Sequence, residues 1–193
     1  MTLSKTPNLN ARTRRIQNGA RATKWAITLC TLAVLFFWVE DVFVMVMPTH
    51  PFFQGFATLE IGELTRPIVE MTWAQRLPLI ALVTVSYSLL AGVTLSVRAV
   101  CTRFQSADFF SGKTLDNIFS VGVWFISYAV FNIAAWPVAT FIATLDRPEN
   151  ERVVDVAVGS DEVFSLILGA LLLLLGWVMR EAALLAEENR QII

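Results

Sequence analysis

Charged side chains are spread unevenly along the chain, and four long intervals hold none or almost none. Residues 117–145, between Asp116 and Asp146, run for 29 positions without a formal charge. Residues 77–97 give 21 such positions and 163–179 give 17. Residues 25–39 give 15, and after Glu40 and Asp41 the apolar stretch 42–47 completes 23 positions. A helix rises about 1.5 Å per residue, so about 20 residues cross a hydrocarbon core of about 30 Å. The pattern therefore predicts transmembrane helices at about 25–47, 77–97, 117–142 and 163–179. A β-barrel needs short segments that alternate in polarity, and the leucine run 171–175 does not alternate. Lipid cannot satisfy an open backbone, so the spans should be helical. The predicted fold is all-α, a polytopic four-transmembrane-helix bundle.

Composition sharpens this choice. Of 193 residues, 55% are hydrophobic and only 16% charged, too little polar surface to coat four such helices in a soluble bundle. Net charge is −1, which disfavours a module that relies on global positive charge to bind nucleic acid. Sorting the charges by segment is more informative. Lys5, Arg12, Arg14, Arg15, Arg21 and Lys24 precede the first span, Arg98, Arg103 and Lys113 follow the second, and Arg180 and Arg190 follow the fourth. The other two connections hold Arg66, Arg76, Arg147 and Arg152, and residues 146–162 carry six acids. The positive-inside rule then predicts both termini and the 98–116 connection in the cytoplasm, N-in and C-in. The expected organisation is a basic cytoplasmic segment 1–24, a transmembrane domain 25–179 and a cytoplasmic helical tail 180–193. No cleavage site of the signal-peptide kind follows the first apolar stretch, so that stretch reads as an uncleaved signal anchor.

The longest connection, 48–76, is unusually apolar. Phe52, Phe53, Phe56, Leu59, Ile61, Leu64, Ile68, Val69, Met71 and Trp73 alternate there with Glu60, Glu63, Arg66 and Glu70. Such a segment should cap the bundle or lie at the outer interface, with a partner-docking patch as the alternative. Within the spans, Thr84, Ser88, Gly92 and Ser96 recur at i+4, and Ser165 and Gly169 repeat the spacing. Small residues in line let another helix approach closely, in the same chain or in a second copy. Asn132 should hydrogen-bond across the bundle, and Pro137 should kink the third span.

Candidates for chemistry are few. Glu40 and Asp41 are ionisable groups inside a span, and such groups are functional hypotheses by default. Counted from Trp25, Glu40 lies about 22 Å along the helix, so a hydrated place near the outer interface competes with proton or cation binding. His50 is the only histidine and follows a helix-ending proline. No metal-ligand spacing is present, and Cys30 and Cys101 are expected on the reducing side, the latter in the 98–116 connection. No cofactor, metal or catalytic constellation is predicted.

Two stretches carry a family likeness. One is Arg103-Phe104-Gln105-Ser106-Ala107-Asp108-Phe109-Phe110-Ser111-Gly112-Lys113-Thr114-Leu115, leading to Ile118 and Gly122. The other is Trp177-Val178-Met179-Arg180-Glu181-Ala182-Ala183-Leu184-Leu185-Ala186-Glu187-Glu188-Asn189. With four spans in this order, from about Trp25 onward, the chain resembles the bacterial membrane proteins of the domain of unknown function 2975 family. Ala107 stands where that family carries glycine, and the basic residues it places before the third-span glycine are missing. The family has no established activity. Its members are often encoded beside small helix-turn-helix regulators, so the resemblance implies a membrane component that restrains or releases a DNA-binding partner. The two cytoplasmic stretches could serve that contact, with Glu187 and Arg190 paired at i+3 in the tail, or simply terminate their helices. The leading expectation is an accessory or sensory membrane protein acting through helix packing and cytoplasmic contacts, with no enzymatic activity. The bilayer is its first partner, a small regulator or another membrane protein its second, and no direct nucleic-acid binding is expected. The alternative is a small transporter or ion-binding protein using Glu40 and Asp41.

Overall fold

The computed structural model describes residues 7–51, 57–61, 64–108 and 111–191. The architecture is all-α, with four long apolar helices packed as a bundle: α1 (Pro7–Val46), α2 (Trp73–Gln105), α3 (Gly112–Ala143) and α4 (Ser160–Gln191). Each is long and apolar enough to cross a bilayer. Only 11, 6, 22 and 17% of their most apolar windows is buried by the protein itself. A water-soluble bundle of this size would bury those faces; here the surrounding apolar medium must be lipid. The chain is a multi-pass membrane protein. Exposed Trp25, Trp73 and Trp177 fit the amphipathic belt that indoles form at membrane interfaces.

The helix ends follow local chemistry. Pro7 opens α1, where its missing N–H costs nothing. Met47 still donates to the Phe43 carbonyl at 2.8 Å, and Pro48 then ends the helix. Thr72-Trp73-Ala74-Gln75 forms a capping box at the start of α2, with the Gln75 side-chain oxygen accepting the Thr72 N–H at 2.9 Å. Ser111 caps α3, its hydroxyl accepting the Thr114 N–H at 3.3 Å. Asp161 and Glu162 sit in the first turn of α4, where the helix dipole favours acids. At the end of α2, Asp108 N–H reaches the Arg103 carbonyl (3.1 Å) and Ala107 N–H that of Phe104 (3.2 Å), a Schellman closure. Ala107 takes φ 58° there, the left-handed region that favours glycine. Cys101, expected in the connection, lies inside α2 and is buried, because the helix runs eight residues past the apolar span to Gln105. Likewise α1 begins well before Trp25 and takes much of the basic lead into the helix.

Two compact units divide the chain, and every long helix contributes to both. The first comprises Met1–Leu32, Gly92–Phe125 and Ile167–Ile193. Here α3 and α4 approach through glycine: a Cβ added at Gly122 would lie 2.8 Å from the Gly169 carbonyl oxygen and 2.9 Å from the Leu173 backbone nitrogen. Gly176 meets Phe119 less tightly, at 3.2 Å, and Gly92 faces the Trp124 ring. The Gln105 amide donates to the Ala20 carbonyl of α1 at 3.3 Å. The proposed tail pair of Glu187 and Arg190 lies outside the described side chains.

The second unit comprises Ala33–Ala91 and Ile126–Leu166. The 48–76 connection folds into a small antiparallel hairpin, β1 (Thr58–Ile61) and β2 (Leu64–Pro67), with Leu59 opposite Arg66. A single 3₁₀ turn, Ile68–Glu70, leads on to α2. Ile68 packs with Val44 and Ala57, while Met71 packs with Leu79 and Ala143. Phe52, Phe53, Phe56 and Glu63 lie outside the described residues. A polar latch, buried on its Arg66 side, joins the hairpin to the helices. Arg66 donates to both carboxylate oxygens of Asp146 at 2.8 and 2.5 Å and to the Ala143 carbonyl. Gln75, whose oxygen caps α2, turns its amide nitrogen to the same carboxylate at 2.9 Å. The Arg66 guanidinium, with help from Gln75, holds the Asp146 carboxyl below its ordinary pKa. Beyond Asp146 an extended segment is pinned to α3. Wholly buried Thr144 accepts the Val153 N–H at 3.1 Å, and Thr140 accepts the Asp155 N–H at 3.1 Å.

Candidate ligand site

The second unit holds a half-open cavity of about 450 Å³ between α1, α2, α3 and the hairpin. Each helix lends it one face. Val34, Phe37, Asp41 and Met45 come from α1, and Leu79, Leu82, Val83, Ser86, Tyr87 and Leu90 from α2. From α3 come Tyr128, Phe131, Asn132, Ala135, Trp136, Ala139 and Thr140. The positions recur every three to four residues, singly in α1 and partly as adjacent pairs in α2 and α3, the period that puts helical side chains on a common stripe. Leu59 of β1 closes one side.

Most of this wall is apolar or aromatic, and its few polar atoms are arranged in pairs. The Tyr87 hydroxyl donates to Asp41 Oδ2 at 2.7 Å. Ser86 donates to Asn132 Oδ1 at 2.9 Å, and Asn132 Nδ2 donates to the Tyr128 carbonyl at 2.8 Å. The Trp136 indole donates to Asp155 Oδ2 at 3.0 Å. Thr140 spends its hydroxyl proton on the Pro137 carbonyl at 3.0 Å, closing the turn after the proline. Among the described residues, Asp41 is the only formally charged one lining the cavity, and no lysine, arginine or histidine lines it. Five aromatic residues (Phe37, Tyr87, Tyr128, Phe131 and Trp136) line the same cavity, and of these Tyr87 contacts the Asp41 carboxylate, whose residue is itself exposed.

Two of the residues singled out from the sequence, Asp41 and Asn132, are thus brought to one cavity from different helices. Glu40 is half-buried and does not line it. Thr84 faces α1, accepting the Trp38 indole N–H at 3.2 Å and donating to the Ile80 carbonyl at 2.7 Å. Ser88, one turn on, is exposed and donates to the Thr84 carbonyl of its own helix at 2.7 Å. It borders a shallow groove beside Val34 and Trp38. Ser96 is half-buried, and Ser165 is buried in α4. His50 is exposed at the end of α1, its ring edge-on to Phe43 with centroids 6.0 Å apart. Among the described residues, no three His, Cys, Asp or Glu side chains gather as a metal site. Sequence reasoning missed Tyr87, Trp136 and Asp155. The only signal for Tyr87 was a hydroxylated aromatic inside an apolar run, and its partner lies 46 positions away.

Compared with family models, curated proteins and solved structures, the chain has no match.

Proposed function

We propose that this chain is an accessory or sensory protein of the bacterial inner membrane that binds a lipophilic organic cation in the cavity of its second unit. The observation that carries this reading is the cavity wall: one carboxylate, five aromatic rings and otherwise apolar side chains. Aromatic faces attract cations, and a single anion in apolar surroundings selects a ligand with a single positive charge. A volume of about 450 Å³ lies within the range of sites for small organic molecules. The positive-inside distribution supports N-in and C-in, which puts Asp41 in the outer half of the membrane. The likeness to the domain of unknown function 2975 family supports a cytoplasmic readout through residues 98–116 and 180–193, ending on a small helix-turn-helix regulator. In this reading the protein binds and signals, and no covalent bond is made or broken. Transport of the same cation is the second reading, favoured by the placement of Asp41 in a helix that spans the membrane.

Equilibrium binding of tetraphenylphosphonium to the purified protein in lipid nanodiscs tests the site. Asp41→Asn should weaken binding at least about tenfold, the loss of one charge-assisted contact. Uncharged tetraphenylmethane should bind no better to the parent chain than to the variant. Equal phosphonium affinity in the two proteins refutes the site. Uptake into proteoliposomes separates transport from sensing, and loss of partner co-purification on deleting 180–193 supports the sensory role.

A further inference from the structure

We infer that Arg76 forms a second binding site, one for the phosphate of a phospholipid headgroup, at the end of the second unit that carries the hairpin. Two arginines of this region are buried, and the protein treats them differently. Arg66 is matched by Asp146 in a bidentate pair. Arg76 is 8% exposed and makes no ion pair among the described residues. Among the described residues its guanidinium reaches only neutral partners, the Val69 carbonyl at 3.1 Å and the Met45 carbonyl at a long 3.4 Å, and lies over the Trp73 ring at 5.5 Å. Its Nε–H is buried with no hydrogen-bond partner. Position aggravates the imbalance, because Arg76 lies in the first turn of α2, where the helix dipole already disfavours a cation. A buried charge without a counter-ion and a buried donor without an acceptor are both costly, and an anion that accepts from a planar donor fork removes both costs together.

Space for that anion is present. An open pocket of about 310 Å³ adjoins Arg76, lined by Val46 at the end of α1 and by Met47, Pro48, Thr49, His50 and Val69. The Thr49 hydroxyl adds a donor of the right kind for a phosphate oxygen. The rim points to a lipid as the source. Val46, Met47 and Val69 border the cavity and are 37, 51 and 51% exposed, and they continue the exposed apolar face of α1 through Phe43. A phosphodiester seated on Arg76 would therefore have its acyl chains beside apolar helix surface, whereas a soluble phosphate would leave that rim bare. The site shares no lining residue with the cation cavity and does not depend on it.

The test uses the full chain, delipidated in detergent, and thermal unfolding on adding phosphatidylglycerol, diacylglycerol of the same acyl chains, or inorganic phosphate. Phosphatidylglycerol should raise the unfolding midpoint of the parent protein, and diacylglycerol should not. Arg76→Gln should lower the phosphatidylglycerol affinity at least about tenfold, with Arg76→Lys between the two, while exposed Arg152→Gln leaves it unchanged. An equal rise with inorganic phosphate supports the oxyanion site but assigns it to a free anion. A rise with diacylglycerol as large as with phosphatidylglycerol overturns the inference. So does a response that survives Arg76→Gln. If Arg76→Gln does not fold, the comparison of phosphatidylglycerol with diacylglycerol on the parent chain still decides the matter.

Discussion

Replacing Gly122 by alanine adds one methyl group where α3 meets α4, and the cost can be worked from the distances. The new Cβ would stand 2.8 Å from the Gly169 carbonyl oxygen and 2.9 Å from the Leu173 nitrogen. Both are backbone atoms, which cannot rotate away. Reaching the 3.4 Å of ordinary contact requires the helices to part by about 0.6 Å. Overpacking of this size costs about 1–3 kcal/mol, and alanine returns about 1 kcal/mol in helix propensity. The net loss is up to about 2 kcal/mol, or up to about 8 °C in unfolding temperature for a chain of this length. Gly176→Ala, with contacts of 3.2–3.3 Å, should be nearly neutral. Gly19→Ala has nothing within 4 Å in the middle of α1 and should be stabilising, by up to about 1 kcal/mol. The assay is thermal unfolding in detergent, read by a thiol-reactive dye on buried Cys101 in a Cys30→Ser background. The order Gly122→Ala, Gly176→Ala, Gly19→Ala from lowest to highest midpoint is required. A Gly122→Ala protein as stable as Gly19→Ala would falsify the close approach of α3 and α4.

The latch gives a pH signature. Because the folded Asp146 carboxyl titrates below its ordinary value of 3.8, its stabilisation is complete above that pH and is lost as pH falls through the lower folded value. Asp146→Asn should lower stability near neutral pH by about 1–3 kcal/mol, discounted for a side chain 41% exposed. It should also flatten the decline below pH 4, and an unchanged acid limb would argue against the pairing. Ala107→Gly should stabilise by about 0.5–1 kcal/mol, the relief of a left-handed alanine less the larger unfolded-state freedom of glycine; a measured loss would show that the Schellman closure is wrongly placed. Thr144→Val keeps the shape but leaves the Val153 N–H without its acceptor, so about 1–3 kcal/mol should be lost, with faster amide exchange at Val153.

The four helices were legible because bilayer thickness fixes their length and charge is expensive inside it, so residues 77–97 or 163–179 allow few other structures. Asp41 was visible for the same reason, as an ionisable group in an apolar interval. Its partner was not, because Tyr87 lies on another helix and nothing near it in sequence records the pairing. Arg66, Arg76 and Asp146 read as ordinary connection charges, useful for orientation alone. The pairing of Arg66 with Asp146 depends on a hairpin of two short strands in a segment whose apolar residues had suggested a cap, an interfacial segment or a docking patch. Cys101 was assigned to the connection because apolar content marks where lipid ends, whereas a helix can continue into water for as long as its hydrogen bonds and caps allow. Ala107 breaks a local rule outright, since its residue type gives no sign of a left-handed turn.

The latch also imposes an order on the making of the protein. Arg66 and Asp146 are 80 positions apart, and all of α2 and α3 must be synthesised between them. At about 5–20 residues per second that interval lasts about 4–16 s. Throughout it the hairpin carries a cation whose anion does not yet exist, and the cap of α2 holds a glutamine amide still waiting for the same carboxylate. Closure therefore reports that the third helix has arrived. A chain stalled before residue 146 would carry Arg66 without its anion, so that this one carboxylate marks the arrival of α3.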